Sequence, residues 1–313
     1  MSKQPWLSVI IPTYNGSKYL AAALNSVVRQ QEDNLECVVI DDGSTDDTLA
    51  IVESFQDRLN INLITKARAG NWVVNTNHAL SVASGEYACF LHQDDLWLEG
   101  RLNQIKKAIA AYPKASMYLH DSVFIDESGK PLGLWHCPLA SKRRIISAEE
   151  MVEKLLIQNF VAIPAPVFKR TAALDIGGLS EELWYTADWD FWLKLAAVGD
   201  TCYIPKSLAA FRVHGDSQTI RRSSSIAEFR QQMRSVVDKH LTHQAKGVSK
   251  VAFFSTEVNT TLAAIVHGES PKLFKLAVDF ALLGPTGWWR YWQDSRIQER
   301  ISARLKAKLQ TQG

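Results

Sequence analysis

A chain of 313 residues with a formal net charge of +2 is too evenly balanced to be an electrostatic binder of nucleic acid. Its four cysteines (Cys37, Cys89, Cys137, Cys202) are scattered, with no Cys-x-x-Cys pair and no secretory leader before them, which favours a reducing cytosol over a disulfide scaffold or a zinc site. No apolar run reaches the ~20 residues of a membrane-spanning helix, because the longest ones, near the C-terminus, are broken by Lys275, Asp279 and Pro285.

The first part alternates strands and helices. Leu7 to Ile11 is a β-branched run closed by Pro12, and Tyr19 to Val28 has helical spacing. Cys37 to Ile40 predicts a second strand ending in Asp41-Asp42-Gly43-Ser44, after which Ser44 or Thr45 is expected to cap a helix carrying Leu49, Ile51, Val52 and Phe55. A strand over Ile61 to Thr65, a helix over Trp72 to Val82, a strand over Tyr87 to Leu91 and a helix over Leu102 to Ala111 follow. This alternation predicts an α/β fold with a largely parallel sheet covered on both faces. From Ala115 to Leu183 glycines and prolines make the pattern irregular, with one helix over Ala148 to Gln158. A buried helix over Trp189 to Val198 and a short strand over Leu208 to Val213 come next. Helices are expected over Ile226 to Leu241, Val251 to Val266, Lys272 to Leu283 and Trp288 to Leu309. The boundary is set near Ser223-Ser224-Ser225: residues 1–224 form the main domain, in two parts (1–112 and 113–224), and 225–313 a C-terminal helical region.

Four polar clusters follow the ends of separate apolar runs: Pro12-Thr13-Tyr14-Asn15, Asp41 to Thr48, His92-Gln93-Asp94-Asp95 and Asp188-Trp189-Asp190. Parallel strands place such ends along one rim, where ligands of open α/β sheets bind. Adjacent carboxylates such as Asp94 and Asp95 are costly to hold together unless something positive lies beside them, and a divalent cation carrying a diphosphate satisfies that need. Each cluster taken alone also reads as a polar turn and a helix cap.

The run Val9-Ile10-Ile11-Pro12-Thr13-Tyr14-Asn15-Gly16, followed by Val39-Ile40-Asp41-Asp42-Gly43-Ser44-Thr45-Asp46, resembles the opening of family 2 glycosyltransferases. The resemblance continues through Gly70, Asn77, Ala83-Ser84-Gly85-Glu86-Tyr87 and Asp94-Asp95. It resumes at Gly177-Gly178-Leu179, at Ala187-Asp188-Trp189-Asp190-Phe191-Trp192-Leu193 and at Phe211-Arg212-Val213-His214, so it covers roughly residues 6 to 218. It implies the GT-A fold, a Rossmann-like, mostly parallel sheet flanked by helices, here with a C-terminal helical extension. It also implies inverting transfer of a sugar from a UDP- or dTDP-linked donor to a hydroxyl of a saccharide or lipid-linked oligosaccharide, in cell-surface polysaccharide synthesis.

The family likeness assigns nucleotide contacts to Pro12, Thr13, Tyr14, Asn15, Asp41, Asp42, Gly70, Asn77, Gln93 and Asp94, with Asp41 accepting from a pyrimidine ring N–H. Asp94 would hold Mn²⁺ or Mg²⁺, joined by His214 and by His92, which stands where the family commonly has the first Asp of Asp-x-Asp-Asp. Asp188 would be the catalytic base, although Ala187 replaces the Glu usual before it. Asp95, Trp189, Asp190, Arg212 and Arg221 are assigned to the acceptor or the diphosphate. Plainer readings stand beside these: Asp42 as a turn residue, Asp190 as a helix N-terminal charge, Trp189 and Trp192 as core, His92 as structural.

The chain lacks the Gln-x-x-Arg-Trp signature of processive relatives, so single additions are expected. The alternatives are a nucleotide-sugar binder without catalysis, suggested by His92 and Ala187, and a nicotinamide dehydrogenase, which Pro12-Thr13-Tyr14-Asn15-Gly16 opposes by lacking a Gly-x-Gly-x-x-Gly cradle. The tail places Trp288, Trp289, Tyr291 and Trp292 before a basic stretch, a pattern suited to an anionic lipid surface, to packing on the main domain or to a homodimer contact. The expected location is cytoplasmic, with the inner face of the membrane as the peripheral alternative.

Overall fold

The computed structural model describes residues 4–139, 141–214, 225–241, 247–267, 273–299, 301–302 and 306. The chain runs β1 (Leu7–Thr13), α1 (Leu20–Val28), β2 (Leu35–Asp41), α2 (Thr48–Glu53), β3 (Ile61–Thr65), α3 (Trp72–Val82) and β4 (Tyr87–Phe90). It continues through β5 (Leu96–Trp97), α4 (Arg101–Ala111), β6 (Met117–Ile125), β7 (Pro131–Trp135), β8 (Arg144–Ile146), α5 (Ala148–Ile157), β9 (Val167–Lys169), α6 (Arg170–Asp175), α7 (Ala187–Ala197) and β10 (Thr201–Arg212). Three longer helices follow: α8 (Ile226–His240), α9 (Ser249–Val266) and α10 (Leu273–Ser295).

One sheet joins the strands in the order β3-β2-β1-β4-β9-β6-β10-β5, with β7 on β6 and β8 on β10. Its first half, β3-β2-β1-β4, is parallel as expected. The second half is mixed: β9 runs antiparallel between β4 and β6, while β6 and β10 are parallel. Because Thr13 lies opposite Asp41 and Asp41 opposite Thr65, three carboxyl ends finish level on one rim. Leu91 still donates to the Ile10 carbonyl (2.9 Å), so the segment 92–95 emerges at that same rim.

Alternation along the strands divides the core in two. Leu7, Val9 and Ile11 face a cluster with Leu20, Leu24, Val52 and Ile105, from α1, α2 and α4. Ile10, Val38, Ile40 and Phe90 face Val73, Leu80, Leu155, Phe191 and Trp192, from α3, α5 and α7. Met233, Val236, Val237, Ala252, Phe254 and Tyr291 belong to this second cluster, so α8, α9 and α10 share a core with the sheet.

Several elements differ from expectation. β6 was not anticipated because His120, Asp121 and Ser122 interrupt its apolar pattern; all three are buried. Arg101, itself fully buried, donates to His120 Nε2 (3.1 Å), and Asp121 accepts from the Cys137 N–H and the Tyr203 hydroxyl (both 2.8 Å). β10 begins earlier than Leu208, and its register shifts beyond Ile204 absorb Pro205 as a bulge. The cap of α2 is Asp47 rather than Ser44 or Thr45, and the Asp46 carboxylate accepts the Thr48 N–H (3.1 Å). α10 breaks off at Ser295, where Arg296 takes φ 47°, and helical residues resume at 297–299, 301–302 and 306, so the helix read from Trp288 to Leu309 is interrupted at Arg296.

Candidate active site

Two loops at the rim are built around Asp41 and Asp42. Asp41 is buried and accepts from Thr13 Oγ1 (3.2 Å) and from the Ser44 N–H (2.8 Å) and hydroxyl. Three of the about four lone-pair positions on its carboxylate are thereby taken. Asp42 accepts the N–H groups of Ala69 (2.9 Å) and Gly70 (2.8 Å) and pairs with Arg68. Burial pushes its carboxyl up, but these donors and Asn75 outweigh it and hold the pKa below the usual range. Arg68, which the sequence reading passed over, lies 3.5 Å over the Tyr14 ring. A cation two residues before Gly70, whose φ is 72°, was the available signal.

Tyr14 is clasped by Gln93, which accepts its N–H (2.9 Å) and donates to its carbonyl (3.2 Å). Gly16 permits this, since a Cβ there would sit 2.5 Å from the Gln93 oxygen. Asn15 holds the opposite loop through Ser44 Oγ (2.9 Å) and the Thr45 N–H (2.8 Å). Pro12 to Asn15, Asp41, Asp42, Gly70 and Gln93 therefore converge on one stretch of rim.

At the end of β4 the adjacent carboxylates are pushed in opposite directions. Asp94 Oδ2 faces His214 Nε2 at 2.9 Å; burial opposes ionisation, but His214 and the nearby His92 lower its pKa overall. Asp95 accepts the Arg212 N–H (3.0 Å), and its Oδ2 is buried without a partner. Burial first, then the Asp94 charge, push the Asp95 carboxyl well above its usual range, and Arg212 offsets this only in part.

His214 is buried against the Tyr19 ring (5.0 Å), and its Nδ1 has no partner. A carboxylate oxygen and an imidazole nitrogen facing each other suit a cation of the Mn²⁺ or Mg²⁺ type. Among the described residues no three His, Cys, Asp or Glu groups form a metal cluster, and a two-ligand site keeps positions open for phosphate oxygens. His92 sets its ring against Trp72 (5.4 Å), its Nε2 is buried without a partner, and burial lowers its pKa despite the Asp94 charge, so it is the neutral imidazole.

Asp188 stands half-buried in the first turn of α7 and accepts from Asn159 Nδ2 (3.0 Å); Asn159 was not anticipated from sequence. Phe90, the last residue of β4, packs on Phe191 (5.4 Å) and Trp192 (5.9 Å) of that helix. Asp188 lies about 4.5 Å along the axis from Phe191 at 1.5 Å per residue. Trp72 ties the same corner together by donating from Nε1 to the Trp184 carbonyl (3.2 Å) while its ring meets His92.

Five assignments need revision. Trp189 is buried and donates from Nε1 to the Leu155 carbonyl (2.7 Å), so it cannot stack on a sugar. Arg212 is buried over Tyr19, and its guanidinium donates to the carbonyls of Asp94, Asp126 and Glu127, so it braces loops instead of clamping a diphosphate. Asn77 bonds both ways with Leu179 (2.9 Å each) and also donates to Glu181. That hold accounts for Gly178, whose φ of 66° and close approach to the Asn77 amide exclude a side chain; the Asn77 amide is therefore engaged in fastening this loop. Asp95 is buried, so a direct acceptor contact is not open to it. Arg221 lies outside the described residues.

Asp190 is the fifth. It is fully buried and meets Lys194 (3.2 Å), Lys239 (2.9 Å), His240 (2.8 Å) and Ser180 (2.5 Å), so it fastens α8 to α7 and has no surface for an acceptor. Burial opposes the ionised form, but His240, Ser180, Lys239 and Lys194 together hold the carboxyl well below its ordinary 3.8. Asp190→Ala leaves these cations without their counter-ion and should cost about 3 kcal/mol, read as a fall in the denaturant midpoint. A pKa depressed in the fold contributes stability above the unfolded value near ~3.9 that is lost as pH falls through the folded value. The wild type should therefore lose stability more steeply below pH ~4 than Asp190→Asn does.

A family model described as Glycosyl transferase family 2 matches residues 8–174. An uncharacterized protein of Mycobacterium tuberculosis is 27% identical over 90% of this chain and 86% of its own. An uncharacterized glycosyltransferase of Rickettsia typhi is 28% identical over 77% and 74%. The chondroitin synthase of Escherichia coli is 26% identical over 71% of this chain and 31% of its own. Among solved structures, S. aureus TarS 1-349 in complex with UDP-GlcNAc has the same fold, with a TM-score of 0.66 at 20% identity over 98% of this chain and 92% of its own. The mannosyltransferase PcManGT from Pyrobaculum calidifontis, in complex with GDP-Man and Mn²⁺, gives 0.54 at 21% identity over 98% and 88%.

Proposed function

This chain belongs to glycosyl transferase family 2, and from that premise we propose that it moves one sugar from a UDP- or dTDP-linked donor to a hydroxyl of a saccharide or lipid-linked oligosaccharide, with inversion. The observation that carries the reading is the packing of Phe90 on Phe191 and Trp192, which fixes α7 against β4, the strand that leads into the segment bearing Asp94. TarS with UDP-GlcNAc and PcManGT with GDP-Man and Mn²⁺ support a nucleotide-sugar donor and a divalent cation.

In this reading the base and ribose lie along Pro12 to Asn15, with the Tyr14 ring and the loops held by Asp41 and Asp42 around them. Asp94 and His214 would hold Mn²⁺ or Mg²⁺, which when bound offsets the charge of the departing nucleoside diphosphate. The acceptor oxygen forms a bond to the anomeric carbon as the bond from that carbon to the phosphate oxygen breaks. Asp188 takes the hydroxyl proton, and Asn159 orients its carboxylate. One base opposite the leaving group gives inversion.

Screening nucleotide sugars for release of free nucleoside diphosphate tests the proposal. Release is expected with Mn²⁺ or Mg²⁺ and is expected to stop under chelation. Binding without release, across donors and acceptors, would favour the non-catalytic reading, and a rate unchanged by chelator would remove the cation from Asp94.

A further inference from the structure

The last described stretch is unusual in what it leaves to water. Nine of the fourteen large apolar side chains exposed among the described residues fall between Leu273 and Ile301. Phe274 is 84% exposed, Leu282 71%, Trp289 65% and Trp292 62%. Scattered apolar residues on a surface are ordinary, but a concentration of this kind marks a contact site.

The shape of α10 produces the concentration. Gly284 takes φ 68° before Pro285, which divides the helix into two arms. Across the bend Trp288 stacks on Phe280 (5.5 Å, 19° between planes) and donates from Nε1 to the Phe280 carbonyl (2.6 Å). Tyr291, buried against Phe254 (4.9 Å), with Leu276 and Leu283, seats one side of the bent helix on the core. The other side carries the exposed residues on both arms. No helix among the described residues is long and apolar enough to cross a membrane, so this surface can lie on a bilayer but not span it.

Charge selects the occupant. From Trp288 to the end the sequence has six Lys and Arg against two Asp and Glu, a net +4, while residues 1–287 carry a net −2. Within α10 the charges balance, Lys275 with Asp279 and Arg290 with Glu153 and Asp294, so the excess comes from the cationic residues that follow Ser295 in sequence. An anionic lipid surface attracts them, and tryptophans favour the interface between headgroups and acyl chains. We propose that the bent helix α10 docks the protein on an anionic lipid surface, with Phe274, Leu282, Trp289 and Trp292 entering the headgroup layer. This rests on the surface and its charge alone, not on the transfer reaction.

The test is sedimentation of the full chain with vesicles of phosphatidylcholine mixed with phosphatidylglycerol, and with phosphatidylcholine alone. Binding should be roughly tenfold or more tighter on the anionic vesicles and should weaken with added salt. Tryptophan emission should shift to the blue on binding. The combined variant Phe274→Ser, Leu282→Ser, Trp289→Ser and Trp292→Ser should lose the binding roughly tenfold or more while keeping the wild-type circular dichroism spectrum. If the wild type sediments equally with both vesicles or with neither, the proposal is overturned. A dimer of the wild type that the combined variant abolishes, with no vesicle binding, would give the surface to a second copy and overturn it too.

Discussion

Asp188→Asn is expected to lower the rate of sugar transfer by roughly 10²–10⁴-fold, the range a positioned general base supplies, while leaving donor affinity within about twofold of wild type. The amide has the shape of the carboxylate and can still accept from Asn159, as Asp188 does at 3.0 Å, so α7 keeps its place on β4. What the variant lacks is a group able to take the acceptor proton. Initial rates at saturating donor, with donor binding measured by calorimetry, separate the two effects. Transfer retained within tenfold would remove Asp188 from the base role, and lost donor binding would show instead that the substitution disturbs the rim.

Asp94→Asn is expected to lower cation-supported transfer by at least roughly 10²-fold, because the charge stabilisation a bound cation gives a leaving group is worth several kcal/mol and about 1.4 kcal/mol is a factor of ten. The variant keeps a hydrogen-bonding partner for His214 but removes the negative charge that the histidines now stabilise. Binding of Mn²⁺ in the presence of nucleoside diphosphate, followed by the electron paramagnetic resonance of the free ion, should weaken by a similar factor. His214→Gln should weaken it less, since it removes one neutral ligand and no charge. If Asp94→Asn binds Mn²⁺ as the wild type does, the cation lies elsewhere.

The parallel half of the sheet was legible because its residues obey one rule at a time. Trp72 to Val82 and Ile61 to Thr65 appear with the expected bounds, each a clean period between turn residues. The second half resisted because its strands carry polar residues whose partners are distant in sequence. His120 is buried with Arg101, and Asp121 with Cys137 and Tyr203. Those partners, which make the polar groups tolerable inside, leave no trace in local periodicity.

The same physics explains which site residues moved. Asp94 and His214 lie 120 positions apart and meet at 2.9 Å. Arg212 and Asp190 look equally suited to charged ligands in sequence, yet the protein meets their charges from within, through backbone carbonyls for one and Lys194, Lys239 and His240 for the other. Sequence shows that a group can bind; only the fold shows whether the chain has already bound it. Asn159 and Arg68 were passed over for the converse reason, being ordinary residues whose roles arise from where the fold sets them.

The proposal depends on carboxylates from separate segments acting in a single cleft. Its most direct test is a crystal of the protein grown with Mn²⁺ and nucleoside diphosphate, with anomalous diffraction recorded at the manganese edge. The account predicts one manganese peak within bonding distance of Asp94 and His214, touching the diphosphate, with the Asp188 carboxylate opening onto the same cavity. A peak held by other residues, or a diphosphate separated from Asp188 by protein, would contradict it.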